Sequence, residues 1–275
     1  MRAVVLDAYG DPRLADLPSP EPSIEVLASG LCGSDVEKIG AAPAGTVLGH
    51  EVVARVDGRR VALVHHRPCG TCEHCRSGHE STCSQFREPT IVPGGFAQRV
   101  QPVEGVELPG SVDDARGTYV EPLGCVLRAL DLVPRGRVLV VGCGFMGRLW
   151  CAVLRRRGDE VLALDPRAER RCAPEPDRPV PAAVLCAPAD PSQWIEPGGT
   201  LLVFAPGGEL DLDAVYRREL TLRGSRSATP ASMAAAVRLL PELEVPEPVV
   251  LPLERFAEGL ELYRSGAALK VVFTP

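Results

Sequence analysis

No asparagine occurs anywhere in the 275 residues, and lysine stands only at positions 38 and 270 against 28 arginines. With 27 prolines that bias first suggests heat resistance. The hyperthermophile signature, however, is enrichment in lysine and glutamate, so an arginine-favouring, GC-rich genome is the simpler reading. Long hydrophobic runs are missing as well. Nothing approaches the ~18 apolar residues that a membrane-spanning helix needs, so no membrane partner is expected. The start, "MRAVVLDAYG", has one positive charge and then a short apolar stretch holding Asp7, which reads as a strand and not as a signal peptide. Excess positive charge is also lacking. A formal net charge of −6 argues against nucleic acid or an acidic membrane surface as partner. There is no internal repeat and no low-complexity linker.

Cysteine, by contrast, is plentiful: ten residues, four of them within "PCGTCEHCRSGHESTC", residues 68–83. Without an export signal the expected location is cytoplasmic, a reducing compartment where clustered cysteines bind metal more often than each other. Cys69, Cys72, Cys75 and Cys83 follow C-x2-C-x2-C-x7-C. Cysteines two residues apart curl a chain around a tetrahedral ion, and four thiolates make a closed, structural zinc site with no position for substrate. His74 and His79 lie in the same loop and are read as solvated. The competing reading is a set of free or disulfide-bonded cysteines.

The chain is long enough for two domains. Residues 1–123 are β-rich, with short β-branched runs ("AVVLDAY", "SIEVLASG", "EVVARV", "RVALVHH", "FAQRVQPV") punctuated by glycine and proline. After a linking helix in "EPLGCVLRALDLV", the pattern changes to strand, glycine turn, helix, strand. "VLVV", "AAVLCAP" and "TLLVFAP" are fully apolar, as in a parallel sheet covered on both faces, and "LTLRGS" is a further candidate strand. The expectation is an α/β protein: a doubly wound, Rossmann-type parallel sheet over 124–227, and a β-rich domain built from 1–123 and 228–275.

Gly142, Gly144 and Gly147 form G-x-G-x-x-G, enclosing Phe145 and Met146, directly after an apolar strand and before a helix. The first glycine permits a tight turn, the second lets backbone approach a pyrophosphate, and the third lets helix and strand pack closely. The helix N-terminus then favours the anion. Asp165 closes the second strand, 23 residues after Gly142. A carboxylate there binds both ribose hydroxyls of NAD and repels a 2′-phosphate. Arg167 beside it leaves NADP open as an alternative. An α/β turn without ligand is the bland reading of the same residues.

A second constellation is scattered: Cys32, Ser34, Asp35 and Glu37 in "LCGSDVEKI", His50 and Glu51 in "VLGHEVV", and Glu121 in "YVEPLG". A cysteine, a histidine and a carboxylate together hold zinc with an open position. With "GLCGSD", "GHE", the four-cysteine lobe, "GCGFMG" and Asp165 in this order, the chain resembles the zinc-dependent medium-chain dehydrogenases over nearly its whole length. "EPLG", with glutamate where simple alcohol dehydrogenases carry a third cysteine, resembles their polyol and sugar branch. The resemblance implies a GroES-like catalytic domain and two zinc ions per chain. One is held by Cys32 and His50 with Glu51 and Glu121 as ligands or close neighbours, the other by the four-cysteine lobe. It also implies a dimer or tetramer.

Three features depart from the family. Glu37 replaces the relay histidine many relatives have. Only nine residues separate Ile39 from Gly49, where a longer substrate-facing loop is usual. "PRAERRCAPEPDRPVP", after Asp165, is too proline-rich for a helix and a strand. The adenine side is therefore expected to be open or to lack a strand. The activity implied is oxidation of a secondary alcohol, polyol or sugar-like, by NAD, with Ser34 taking the hydroxyl proton unless it merely caps the following helix. Two alternatives remain at this stage: a biosynthetic carbonyl or enone reductase of the same family, and a non-catalytic nucleotide-binding regulatory protein. Arg226 is a candidate substrate contact but reads more simply as a surface residue.

Overall fold

The computed structural model describes the backbone of all 275 residues and every side chain except that of Arg87. The chain opens with β1 (Arg2–Leu6) and β2 (Pro12–Asp16), an antiparallel pair, and continues into β3 (Ile24–Gly30). A short helix, α1 (Gly33–Lys38), follows directly. Next come β4 (Glu51–Val56), β5 (Arg59–Leu63), the cysteine lobe with its single-turn α2 (Glu73–Arg76), β6 (Arg99–Val100) and β7 (Gly105–Glu107). In β3 the side chains alternate as a half-buried strand requires: Val26 and Ala28 are buried. Glu25 stands opposite Arg55 on the wet face and pairs with it at 3.1 Å.

After α3 (Asp114–Gly117), α4 (Val120–Ala129) leads into a parallel sheet. Its strands are β8 (Arg137–Val141), β9 (Glu160–Leu164), β10 (Val180–Leu185), β11 (Ile195–Val203) and β12 (Thr221–Gly224), in the order β12-β11-β10-β8-β9. Helix α5 (Phe145–Arg157) connects β8 to β9 and stops at Gly158 in the left-handed conformation, φ +90°. Helix α6 (Leu212–Arg217) precedes β12. Between β9 and β10, residues 166–179 form only a 3₁₀ turn at Ala168–Arg170. Their prolines lack the N–H groups that a further strand would need. The sheet accordingly ends at β9, where the Ala163 amide donates to Pro174 O at 2.9 Å. This resolves the expectation for the shortened segment: among the described residues no strand lies beyond β9.

The chain closes with α7 (Pro230–Leu239), β13 (Val249–Pro252), α8 (Phe256–Ser265) and β14 (Val271–Thr274). The mixed sheet has the order β13-β14-β3-β4-β5-β7, with β6 also on β3. Its core collects Leu6, Leu31, Leu48, Leu260 and Val271 around Phe96, Phe256 and Phe273. The three rings lie 4.7–5.6 Å apart. Two units result: Met1–Gly124 with Ala228–Pro241 and Glu247–Pro275, and Cys125–Ser227 with Glu242–Pro246. No helix among the described residues is long and apolar enough to cross a membrane.

Candidate functional site

The pairing of β3 with β4 sets Gly30 opposite Glu51. Cys32, two residues after Gly30, and His50, one before Glu51, therefore meet at the same end of the sheet. Ligand atoms of Cys32, His50 and Glu51 all lie within 4.8 Å of one another. Glycine is required at position 30, because a Cβ there would collide with the Glu51 carboxylate. The Cys32 amide donates to Asp35 Oδ2 (3.2 Å) and so fixes the first turn of α1. Asp35 Oδ1 accepts from the Gly49 amide and meets His50 Nδ1, both at 3.2 Å. With Nδ1 so engaged, Nε2 is the nitrogen left for a metal.

The electrostatics agree. Burial raises the Asp35 carboxyl, but the His50 ring and the Cys32 and Gly49 amides outweigh it and hold it below its usual range. Burial likewise disfavours charged His50, yet the Asp35 carboxylate and the Cys32 thiolate raise it well above an ordinary histidine. Glu51 is 1 % exposed. Its Oε2 accepts from Lys270 Nζ, which also donates to Leu31 O at 3.1 Å. Its Oε1 is buried with no hydrogen-bond partner. A buried carboxylate oxygen left over beside a thiolate and an imidazole nitrogen is what a bound cation would satisfy. The donor set of sulfur, nitrogen and oxygen suits zinc.

The other sequence candidates fall as follows. The Ser34 hydroxyl donates to Cys32 Sγ at 3.5 Å, and position 32, not 34, is the N-cap of α1; the capping role for Ser34 is thereby corrected. Glu121 sits half-buried in the first turn of α4 and is not one of the clustered trio. Glu37 and Arg226 are exposed. Three residues were missed as participants: Asp35 in its orienting role, Lys270, and His65. The His65 ring lies 5.0 Å from that of His50. Burial, then the neighbouring His50 and His66, push His65 down to about 2, so it stays neutral. The "HH" pair was legible, but nothing local pointed it at His50.

In the lobe, the four sulfurs of Cys69, Cys72, Cys75 and Cys83 form a second group within 4.8 Å. Sγ–Sγ separations of 3.5 Å (72–75) and 3.9 Å (69–75) bracket the about 3.8 Å edge of a tetrahedron with Zn–S bonds of ~2.3 Å. Backbone and hydroxyl donors of Thr71 and the Cys72 amide hold the Cys69 thiol down to about 5, which favours the thiolate a metal needs. His74 and His79 are exposed and outside the group. None of the ten cysteines is in a disulfide.

At the parallel sheet, Gly142 takes φ +91° in the turn after β8. A Cβ at Gly147 would strike the Gly142 carbonyl, whereas one at Gly144 would meet nothing within 4 Å. The turn is therefore tight where helix and strand pack, and open where a phosphate would sit. Phe145 and Met146 begin α5, the first buried and the second half-buried. Asp165 Oδ2 accepts from the Cys143 amide (2.7 Å) and Oδ1 from the Arg167 amide (2.9 Å), which fixes the carboxylate beside the turn. The Arg167 side chain is exposed. The residues fit a dinucleotide.

Residues 19–106 match the family described as the alcohol dehydrogenase GroES-like domain. D-altritol 5-dehydrogenase of Agrobacterium fabrum is 28% identical over 271 residues, which covers 78% of this chain and 79% of the relative. L-galactonate-5-dehydrogenase of Escherichia coli is 25% identical over 304 residues, 90% of this chain and 89% of the relative. Among solved structures, acetophenone reductase from Geotrichum candidum, in complex with NAD, superposes with a TM-score of 0.86 at 20% identity, covering 100% of this chain and 97% of that one.

Proposed function

We propose that this chain, which belongs to the zinc-type medium-chain dehydrogenases, transfers a hydride between a secondary alcohol of polyol or sugar-like character and NAD(P). The observation that carries the proposal is the Cys32–His50–Glu51 cluster with its unpartnered buried Glu51 oxygen, in one chain with a glycine turn open to phosphate. When bound, zinc supplies Lewis acidity at the alcohol or carbonyl oxygen and the nicotinamide supplies the hydride chemistry. Cys32 and His50 hold the metal. Asp35 keeps the His50 proton on Nδ1 and fixes the ring. Lys270 offsets the Glu51 charge, which leaves Cys32 as the main source of negative charge at the metal and keeps the site electrophilic. Ser34, hydrogen-bonded to Cys32, is assigned to take the hydroxyl proton. Glu121 is assigned as an alternating partner to Glu51.

Gly142, Gly144, Phe145, Met146 and Gly147 form the pyrophosphate turn, and Asp165 reads the ribose in favour of NAD. The four-cysteine lobe holds a second, structural zinc. Ten cysteines outside any disulfide fit a cytoplasmic, reducing location. The outermost strand of the parallel sheet, β12, has all four residues exposed, including Leu222. An unprotected edge of that kind supports a homo-oligomer. The names of two relatives favour polyol or sugar-acid substrates over the carbonyl-reductase reading.

The test is a panel of polyols and sugar acids followed by the absorbance of reduced cofactor, with the Cys32→Ala variant alongside. Cys32→Ala should lose turnover and catalytic-site zinc while binding NAD as the parent does. Full activity in protein that metal analysis finds zinc-free at Cys32 would refute the reading and favour a metal-independent reductase.

A further inference from the structure

Outside both metal sites, three cysteines converge in the second unit. Cys151 lies mid-helix in α5 and is 1 % exposed. Cys172 belongs to the proline-rich segment that follows β9, and it is half-buried. Their sulfurs are 3.2 Å apart. Cys143, in the glycine turn, is buried and interacts with the Cys172 sulfur as well. These thiols do not make a three-ligand metal cluster among the described residues.

The surroundings of Cys172 are those of a reactive thiol. Contacts with the Cys143 and Cys151 sulfurs, and the charges of Arg148 and Arg155, outweigh burial and hold it well below the usual thiol range, which favours the thiolate. Arg155 also donates to Cys172 O, and Arg148 to Arg170 O at 2.9 Å, so α5 already holds the segment at residues 170 and 172. Cys151 is shielded, held as the neutral thiol by its contact with Cys172 and by burial, and fixed in a helix. One partner is thus half-buried and nucleophilic, the other fully buried and poised to resolve. A disulfide of about 2.05 Å needs the sulfurs to close by about 1 Å, a movement that falls to Cys172, which lies in irregular backbone while Cys151 is fixed in α5.

We propose that Cys151 and Cys172 are a reversible redox pair that staples the proline-rich segment to α5. The oxidant is hydrogen peroxide. The Cys172 thiolate attacks the peroxide, the O–O bond breaks, and with one proton the products are the Cys172 sulfenic acid and water. The Cys151 thiol then displaces the hydroxyl from the Cys172 sulfur, forming the S–S bond and a second water. Two thiols lose two electrons and the peroxide gains them. The bond closes a span of 21 residues that includes Asp165 and Arg167, so oxidation restrains the stretch that faces the ribose.

The test uses zinc-loaded full-length protein treated with one equivalent of hydrogen peroxide, then alkylated in denaturant and peptide-mapped without reductant. The expected product is a Cys151–Cys172 cross-link, reversed by dithiothreitol, with no zinc released. Cys151→Ala should stop at a Cys172 sulfenic acid that dimedone captures; Cys151→Ser serves if the alanine variant does not fold. In the oxidised parent, tryptic cleavage after Arg167, Arg170 and Arg171 should slow by about tenfold, since cutting there follows local opening. Cross-linking of Cys143 to Cys172, zinc release from the lobe ahead of any cross-link, or unchanged cleavage would overturn the proposal.

Discussion

Lys270→Met isolates one interaction. It removes a cation whose side chain is 2 % exposed and strands the Glu51 carboxylate, which is 1 % exposed and already has one oxygen without a hydrogen-bond partner. Breaking a buried pair from one side costs about 3–5 kcal/mol, because a charge stays behind without compensation. The lost hydrogen bond to Leu31 O (3.1 Å) adds about 1 kcal/mol. Metal-free protein should therefore lose about 4–6 kcal/mol in a denaturant titration. Zinc should recover part of this, since the released Glu51 then has a cation to turn to. The same rearrangement puts a second anionic ligand on the metal, so zinc binds more tightly while turnover falls. Glu51→Gln with Lys270→Met should be less destabilised than Lys270→Met alone by about 2 kcal/mol, and a double-mutant cycle completed with Glu51→Gln alone reads out the coupling. A loss under about 1 kcal/mol with unchanged turnover would refute the argument that Lys270 compensates Glu51.

Cys72→Ser should remove one zinc per chain and lower the thermal midpoint without a proportionate fall in kcat, as metal analysis and a melting curve would show; unchanged zinc content would contradict a structural lobe. Asp165→Ser should weaken NAD and narrow its advantage over NADP in a fluorescence titration. Because the substitution also strips acceptors from the Cys143 and Arg167 amides, a modest loss of stability should accompany it, and a parent that binds NADP more tightly would place Arg167 in control. Metal uptake should depend on pH. In the zinc-free site the His50 pKa is raised, so its protonated form stabilises the fold below the ordinary histidine range, and that contribution fades as pH rises through the raised value. Zinc must displace this proton, so catalytic-site affinity should increase with pH through the raised value and uptake should release protons, measurable with an indicator dye.

The sequence by itself determined what depends on neighbours along the chain. The cysteine spacing fixes the lobe because ligands two residues apart share one turn of backbone. The glycine turn was legible because its demands on φ, close packing and open space fall on Gly142, Gly147 and Gly144, all within six residues. The prolines after Asp165 announced that a strand could not form there. Long-range placement was another matter. Lys270 is 219 residues from Glu51, and no pattern in "ALKVVFT" marks its lysine as a buried counter-ion. Only the pairing of β14 with β3, and of β3 with β4, carries it to the site. Asp35 was visible as a carboxylate, but the 3.2 Å contact that orients His50 depends on how α1 packs against the residues before β4. The Cys151–Cys172 contact depends on how an irregular segment folds back on α5. Side chains distant in sequence meet only when strand register and packing are settled, and those are properties of the whole chain.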